Sequence, residues 1–202
     1  MAEVQRLGLP AVVAGPPDVA AGLACVWTDD GTAVKEAVRY LAALGHRTVA
    51  RVGGPPGLAH TAHRQRAFDE VTAELGVRAK TWSTDFSTEQ TSRATRVILL
   101  RRSVDGSPLR RRPGRRGGLG VTRELGRAVP RDVSVLAWDD STLCLITYAQ
   151  LSAMSHDVHA YGAHVTRRLF EVLAGAPARS QLDSVPSIRP RASTAPPSRL
   201  GG

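Results

Sequence analysis

A short apolar run that ends in two carboxylates constrains the fold of this chain more than any other stretch. In 133–141 (VSVLAWDDS), the apolar run 135–138 is followed directly by Asp139 and Asp140. Such a run, bounded by turn-forming residues, is typical of a parallel strand covered on both faces. Carboxylates at the carboxyl end of such a strand lie where open α/β sheets bind ligands. A solvated turn explains the same two residues, and spacing alone favours that interpretation.

Predicted strands and helices alternate along the chain, which indicates an α/β protein with one or two parallel sheets. Apolar residues recur at helical spacing over 34–44, 61–75 and 158–173, and glycines follow these segments. Predicted strands cover 9–14, 26–28, 48–52, 77–82, 133–138 and 151–155. The apolar face predicted for the last helix comprises Val158, Tyr161, Val165, Leu169, Phe170 and Leu173.

The positive charge of the chain is concentrated in one segment. The 202 residues carry a formal charge of +9, and Arg101–Arg116 (RRSVDGSPLRRRPGRR) contains seven arginines and one aspartate, a local charge of +6. The Arg, Pro and Gly composition of this segment is unsuited to a packed strand or a regular helix. A basic segment without aromatic residues can contact phosphates without stacking on bases, so nonspecific nucleic-acid binding is one candidate function.

Several function classes find no support in the sequence. No apolar run approaches the roughly 20 residues that span a bilayer, and the opening MAEVQRLGLP lacks the layout of a secretion signal, so we expect a cytoplasmic protein without membrane contact. Cys25 and Cys144 have no metal-ligand spacing, and the six histidines form no ligand motif. We therefore expect no metal, no cofactor and, without a nucleophile–base pair, no enzymatic activity.

Four stretches carry a recognisable series of motifs. Val26–Pro55 contains LGHR, a predicted strand and GGP, while Gly118–Ser141 contains VPRDVSV and WDDS. The other two are His63–Val77 (HRQRAFDEVTAELGV) and Arg189–Thr194 (RPRAST). In this order they resemble the lactose/galactose-repressor (LacI/GalR) family of bacterial transcription regulators, over most of Val26–Pro196 apart from the Arg-rich segment.

The resemblance implies a periplasmic-binding-protein-like type I fold, with two Rossmann-like lobes built on parallel sheets and joined by crossover strands. It also implies a ligand-sensing and dimerisation core, in which a small sugar-like effector binds between the lobes of a homodimer. Lobe closure would change the dimer geometry and thereby the affinity for operator DNA. Solute-binding proteins for sugars share these lobes, but the missing export signal and the VPRDVSV motif favour the regulators.

The resemblance also divides the chain. We expect a partial N-terminal lobe over 1–44 and a C-terminal lobe over 45–153, with the atypical segment 101–118 inside it. The chain is then expected to return to the N-terminal lobe over 154–180, and 181–202 to supply the last C-terminal-lobe strands and a flexible tail. Compared with the family, the N-terminal lobe is incomplete and the DNA-binding headpiece is missing, so operator DNA would be bound only through a headpiece outside this chain.

Two candidate effector ligands follow from the most specific motifs. By resemblance, Arg64 is the basic residue that contacts effector hydroxyl or carboxylate groups, a role that suits its planar set of donors. An ordinary exposed helix arginine is the alternative. Asp139 matches the cleft carboxylate, which can accept two hydroxyl hydrogen bonds. Asp140 is then expected to be structural and to cap the following turn.

Three further candidate ligands are Asp30, Phe86 and His156. Asp30 matches another cleft carboxylate of the family, although a helix N-cap explains the residue almost as well. Phe86 resembles the aromatic residue that stacks on the effector, and a core phenylalanine is the alternative. His156 lies where family members often have a polar residue that faces the ligand.

Overall fold

A computed structural model describes residues 2–100 and 118–198. The helices are α1 (Ala2–Arg6), α2 (Asp30–Ala43), α3 (Ala59–Glu74), α4 (Thr88–Leu100), α5 (Gly118–Glu124), α6 (Thr142–Ile146) and α7 (Val158–Leu173), with a 3-10 turn at Pro17–Val19. The strands are β1 (Val12–Ala14), β2 (Ala24–Thr28), β3 (Thr48–Gly53), β4 (Arg78–Ser83), β5 (Leu136–Trp138), β6 (Ser152–Ser155), β7 (Ser180–Ser184) and β8 (Ser187–Arg189).

The first packing unit is a parallel sheet covered by α7. Its strand order is β1-β2-β7, and β2 is almost entirely buried at its centre, where Cys25 and Val26 have no exposed surface. Helix α7 packs against β1 and β2. Strand β7 pairs with β2, so 181–184 lie in this first sheet, whereas the expected division of the chain into lobes stays a prediction. Only tertiary pairing decides which sheet so short a polar strand joins.

The second packing unit is built on the apolar faces of α2 and α3. Val34 and Val38 of α2 form one buried cluster with Phe68 and Val71 of α3 and with Val49 of β3. Strands β3 and β4 form a parallel pair beside these helices. Helix α2 therefore shares its core with α3 and β3, and the boundary expected at residue 44 does not coincide with the packing. The apolar period of α2 predicts a buried face but not the element that covers it.

The third sheet has the order β5-β6-β8, with β5 and β6 parallel and β8 antiparallel. Residues 136–138 are only half-buried, which corrects the prediction of a strand covered on both faces. The segment after β8 is bonded to this sheet by buried hydroxyls. Ser193 Oγ donates to Val135 O at 2.6 Å and accepts from Ser152 N at 2.8 Å.

Asp140 does not cap the turn that follows it. Ser141 occupies the N-cap position of α6, and the Asp140 carboxylate instead accepts a hydrogen bond from Arg191 Nη2 at 2.7 Å. That hydrogen bond lowers the pKa of Asp140, against the opposing effect of burial. The expected structural role is thus fulfilled by an ion pair between the end of β5 and the segment after β8.

The predicted class, α/β with parallel sheets, is confirmed by the three sheets. The predicted last helix has the bounds Val158–Leu173 in the structure. Across 2–100 and 118–198, no helix is long and apolar enough to span a membrane. The predictions made for the Arg-rich segment fall on residues 101–117, which lie outside this description.

Candidate ligand-binding site

Arg64 and Asp30, two of the candidate ligands, form an ion pair between α3 and the start of α2. Arg64 Nε donates to Asp30 Oδ2 at 2.8 Å, and Nη2 lies 2.7 Å from the same oxygen. The second oxygen, Asp30 Oδ1, accepts from Thr28 Oγ1 at 3.1 Å. The guanidinium also lies 4.2 Å from the ring centroid of Trp138, a cation–π contact. Side chains from four elements, β2, α2, α3 and β5, thus meet at one charged pair.

The start of α2 explains why Asp30 is available for this pair. Asp29 is the N-cap: its Oδ1 accepts from Thr32 N at 2.9 Å and its Oδ2 from Thr32 Oγ1 at 2.7 Å. The N-cap explanation considered for Asp30 is therefore wrong. Because the Asp29 carboxylate already caps the first turn of α2, the Asp30 carboxylate is not needed as a cap and can pair with Arg64.

Phe86 lies at the edge of the site and is 59% exposed, so it is not a core phenylalanine. Its ring stacks on His60 with centroids 6.4 Å apart and lies directly over Gly54. A Cβ on Gly54 would be 1.9 Å from Phe86 Cζ, so only glycine permits this approach. His60 precedes Arg64 by one helical turn, and α3 therefore presents an imidazole and a guanidinium side by side.

A cavity of about 560 Å³ opens between the loop after β1, the start of α2 and α3. Its lining includes Trp27, Asp30, His60, His63, His156 and Tyr161. His63 Nε2 lies 2.6 Å from Asp18 Oδ2, so the loop after β1 is tied to α3 across this opening. The cavity thus has walls from both the first and the second packing unit.

Neighbouring charges and burial set the ionisation of the cavity wall. Burial and the positive charge of Arg64 lower the pKa of His60, and Asp30 opposes them. His60 is consequently a neutral imidazole at neutral pH, able to accept or donate a hydrogen bond. Burial raises the pKa of Tyr161, and the negative charges of Asp183 and Asp30 raise it further. The Tyr161 hydroxyl donates a hydrogen bond to Val26 O at 3.0 Å.

Comparison with known families identifies the fold. A family model described as a periplasmic binding protein-like domain matches residues 38–194, well over half of the 202 residues. The chain belongs to this family. This match and the similarities reported next confirm both the periplasmic-binding-protein-like fold and the resemblance to the LacI/GalR regulators.

Individual relatives of this periplasmic binding protein-like chain are transcription regulators. It is 30% identical over 174 residues to the HTH-type transcriptional regulator MalR of Streptomyces coelicolor, covering 83% of this chain and 51% of that protein. The chain thus spans about half the length of the curated relatives it matches. A crystal structure of a LacI family transcriptional regulator from Bifidobacterium animalis subsp. lactis matches with a TM-score of 0.86 at 26% identity, covering 98% and 73% of the two chains.

A third match shows the same fold at lower identity. The crystal structure of a LacI family transcriptional regulator from Enterococcus faecium, solved with bound ribose, has a TM-score of 0.75 at 20% identity. The match covers 96% of this chain and 73% of that chain.

Within this periplasmic binding protein-like fold, the five candidate residues are placed unequally. Asp30 and Arg64 are in direct contact, and His156 shares the cavity lining with Asp30. Phe86 reaches the site through its stacking on His60. Asp139 follows Trp138 directly, and its exposed side chain lies outside the cavity lining, as do those of Arg64 and Phe86. The ligand roles of all five residues stay predictions.

Five residues of this site are absent from the sequence-based prediction: Trp27, His60, His63, Trp138 and Tyr161. His60 could have been found from its position one turn before Arg64 on a predicted helix. Trp138 was assigned to a buried strand, and nothing in the sequence indicates that its ring faces a guanidinium. Tyr161 was assigned to the apolar face of α7, whereas its ring packs edge-on against His156 with centroids 6.2 Å apart.

Proposed function

We propose that this chain is the ligand-sensing core of a LacI-type transcription regulator, which binds a small sugar-like effector between its two lobes. The observation that carries the proposal is the Arg64–Asp30–Trp138 cluster beside a cavity of about 560 Å³. We take the first packing unit and the second packing unit, the latter together with the third sheet, as the two lobes.

The chemistry of the cluster suits a polyhydroxylated ligand. Hydroxyl groups both donate and accept hydrogen bonds, and here guanidinium donors lie beside carboxylate acceptors. Rings of Trp27, His60 and Tyr161 supply apolar faces for the C–H surfaces of a sugar. A ligand that contacts walls from both lobes favours their closed arrangement, because its differential affinity shifts the equilibrium between open and closed states.

The names of the relatives favour a regulator over a solute-binding protein. MalR and the two solved structures compared above are transcription regulators. By this proposal the chain senses the effector in the cytoplasm, has no catalytic step, and affects operator DNA only through a headpiece. The alternative function, nonspecific nucleic-acid binding through Arg101–Arg116, stays a prediction because that segment lies outside the described residues.

We also propose that the core forms a homodimer, as the family resemblance implies. The α6 patch, which we define as Leu143, Leu145, Ile146 and Tyr148, is strongly exposed. Ile146 is 72% exposed and Tyr148 is fully exposed. Apolar side chains grouped in this way are typical of protein–protein contacts, and a second copy of the chain is the partner that the resemblance favours.

Thermal melting and calorimetry with a panel of neutral sugars test the effector proposal. The panel contains ribose, glucose, maltose and lactose. A sugar that binds the folded chain raises its melting temperature, and at a concentration of 100 times its Kd it adds about 2.7 kcal/mol to the free energy of unfolding. Arg64→Gln is expected to weaken binding at least about tenfold, since it removes charge-assisted donors. The matched control is Arg93→Gln, an exposed arginine on α4 that is not part of the Arg64–Asp30–Trp138 cluster.

The proposal fails if no sugar of the panel binds to the wild-type chain. It also fails if Arg64→Gln and Arg93→Gln bind the same sugar as tightly as the wild type does.

A further inference from the structure

The positive charge of Arg64 is already neutralised within the protein. Nε and Nη2 both contact Asp30 Oδ2, and the plane of the guanidinium lies over Trp138. The side chains of Arg64 and Asp30 are 23% and 15% exposed, so water screens the pair only partly. Nη1 takes no part in the ion pair and can still donate a hydrogen bond. The positive charge of its guanidinium is balanced by the Asp30 carboxylate.

We propose that Asp30 is a specificity-determining residue that makes this site select uncharged ligands over anionic ones. The inference rests on the proposed function, since it takes Arg64 as a contact of the effector. It goes further by assigning to Asp30 the choice between a neutral sugar and a phosphorylated or carboxylated one. The resemblance predicts Asp30 only as a cleft carboxylate; here it sets the charge that the effector meets.

The charges around the cavity support this assignment. Arg64 is the cation of the cluster beside the cavity, and a phosphate placed against it would meet the Asp30 carboxylate at the same guanidinium edge. The two cations in the cavity lining, Lys35 and Arg66, do not offset this: Lys35 Nζ lies 2.7 Å from Glu70 Oε2, and the Arg66 side chain is exposed. An anion would therefore bring a like charge against Asp30, whereas a neutral hydroxyl could donate to its carboxylate.

Inorganic phosphate is the probe that tests the inference, because it needs no knowledge of the effector. Asp30→Asn removes the negative charge and leaves an amide of similar shape beside Arg64. We expect this variant to bind phosphate in calorimetric titration at least about tenfold more tightly than the wild type. Asp30→Asn/Arg64→Gln is expected to lose that gain, since the freed guanidinium is then absent.

The matched control is Asp157→Asn, which makes the same change in net charge at the N-cap of α7, outside the cavity lining. Asparagine is as good an N-cap as aspartate, so α7 is retained, and phosphate affinity should equal that of the wild type. Cooperative thermal melting verifies that each variant folds. If Asp30→Asn does not fold, Asp30→Ser serves as a second variant that removes the charge.

Three outcomes overturn the inference: charge-removing variants at Asp30 that bind phosphate no better than the wild type, an equal gain in Asp157→Asn, or a gain that survives Arg64→Gln. Each is independent of the sugar titration. Failure of the sugar panel alone contradicts the proposed function, and failure of the phosphate comparison alone contradicts the role of Asp30.

Discussion

Asp29 and Asp30 show how two adjacent, chemically identical residues acquire different roles. The carboxylate of Asp29 is consumed by two bonds from Thr32 at the first turn of α2. The carboxylate of Asp30 turns toward α3 and pairs with Arg64. The Asp pair at 139 and 140 divides in a similar way, because Asp140 is bound by Arg191 while Asp139 is exposed with a φ of 69°. Sequence spacing alone could not separate the members of either pair.

At the residue scale, Gly54→Ala is expected to displace the ring of Phe86. The new Cβ would overlap Phe86 Cζ, and the exposed ring can move away, so the change in unfolding free energy should stay below about 1 kcal/mol. Nuclear magnetic resonance should show altered ring shifts of Phe86 and His60, whose stacking is lost.

Gly57→Ala in the same loop is the control for that substitution. A Cβ at Gly57 meets no atom within 4 Å, so the ring resonances of Phe86 and His60 should stay unchanged. Unchanged shifts in Gly54→Ala would contradict the close approach of the ring to the backbone.

At the scale of elements, α3 joins the core to the site. Phe68 and Val71 are buried against α2 and β3, while His60, His63 and Arg64 lie toward the cavity and Asp30. The helical period brings these positions to neighbouring turns. Packing of the apolar face therefore fixes the direction in which the polar residues project, and any tilt of α3 would move all of them together.

The Asp140–Arg191 pair makes stability depend on pH at the end of β5. The folded pKa of Asp140 is lowered below its unfolded value of about 3.9, so this stabilisation is present above about pH 4 and is lost as pH falls through the folded pKa. Asp140→Asn should lower stability at pH 7 by about 1–3 kcal/mol, because Arg191 loses its charged partner in a position that is only 16% exposed.

Urea denaturation between about pH 7 and pH 2 measures this effect. The loss of stability on acidification should be shallower in Asp140→Asn than in the wild type. Ser141→Ala, which removes no titratable group and leaves Asp140 and Arg191 in place, should follow the wild-type pH profile. Equal acid profiles for the wild type and Asp140→Asn would contradict a stabilising role for the pair.

At the scale of the whole molecule, side-chain contacts at the loop after β1 and at the start of α2 join the first and second packing units, beside the cavity in which we propose that a ligand closes them together. The loop after β1 contacts α3 through Asp18 and His63, and Asp30 connects the end of β2 to α3. An exposed ion pair such as Asp18–His63 contributes only about 0–1 kcal/mol. A bound ligand that touches both walls would therefore add substantially to the coupling between the units.

Self-association through the α6 patch is a prediction at this scale. Ile146→Glu should raise the dimer dissociation constant at least about tenfold in sedimentation velocity, because it places an unpaired charge in an apolar contact. The control is Val158→Glu, a similarly exposed apolar residue on α7 outside the patch. A wild-type chain that remains monomeric at all concentrations, or equal dissociation of both variants, would contradict the proposal.

The sequence by itself determined the elements and the family. The periodicity of apolar residues predicted α2, α3 and α7, and the motifs around LGHR and VPRDVSV predicted the LacI-like fold. Local hydrogen bonding and side-chain periodicity encode such features within a few residues. Arg64 and Asp30 were also predicted as members of one site, although only by resemblance and not as partners.

Only the tertiary structure decided which surfaces meet. The predicted apolar face of α7 includes Phe170, which is 65% exposed, whereas Arg168 is buried and bonded to Glu171. Likewise, β5 is only half-buried and β7 joins the first sheet. Burial depends on neighbours that are distant in sequence, and a periodic pattern gives the direction of a face without naming its partner. For the same reason the pairing of Asp30 with Arg64, and the charge it gives to the site, became visible only when α2 and α3 were placed together.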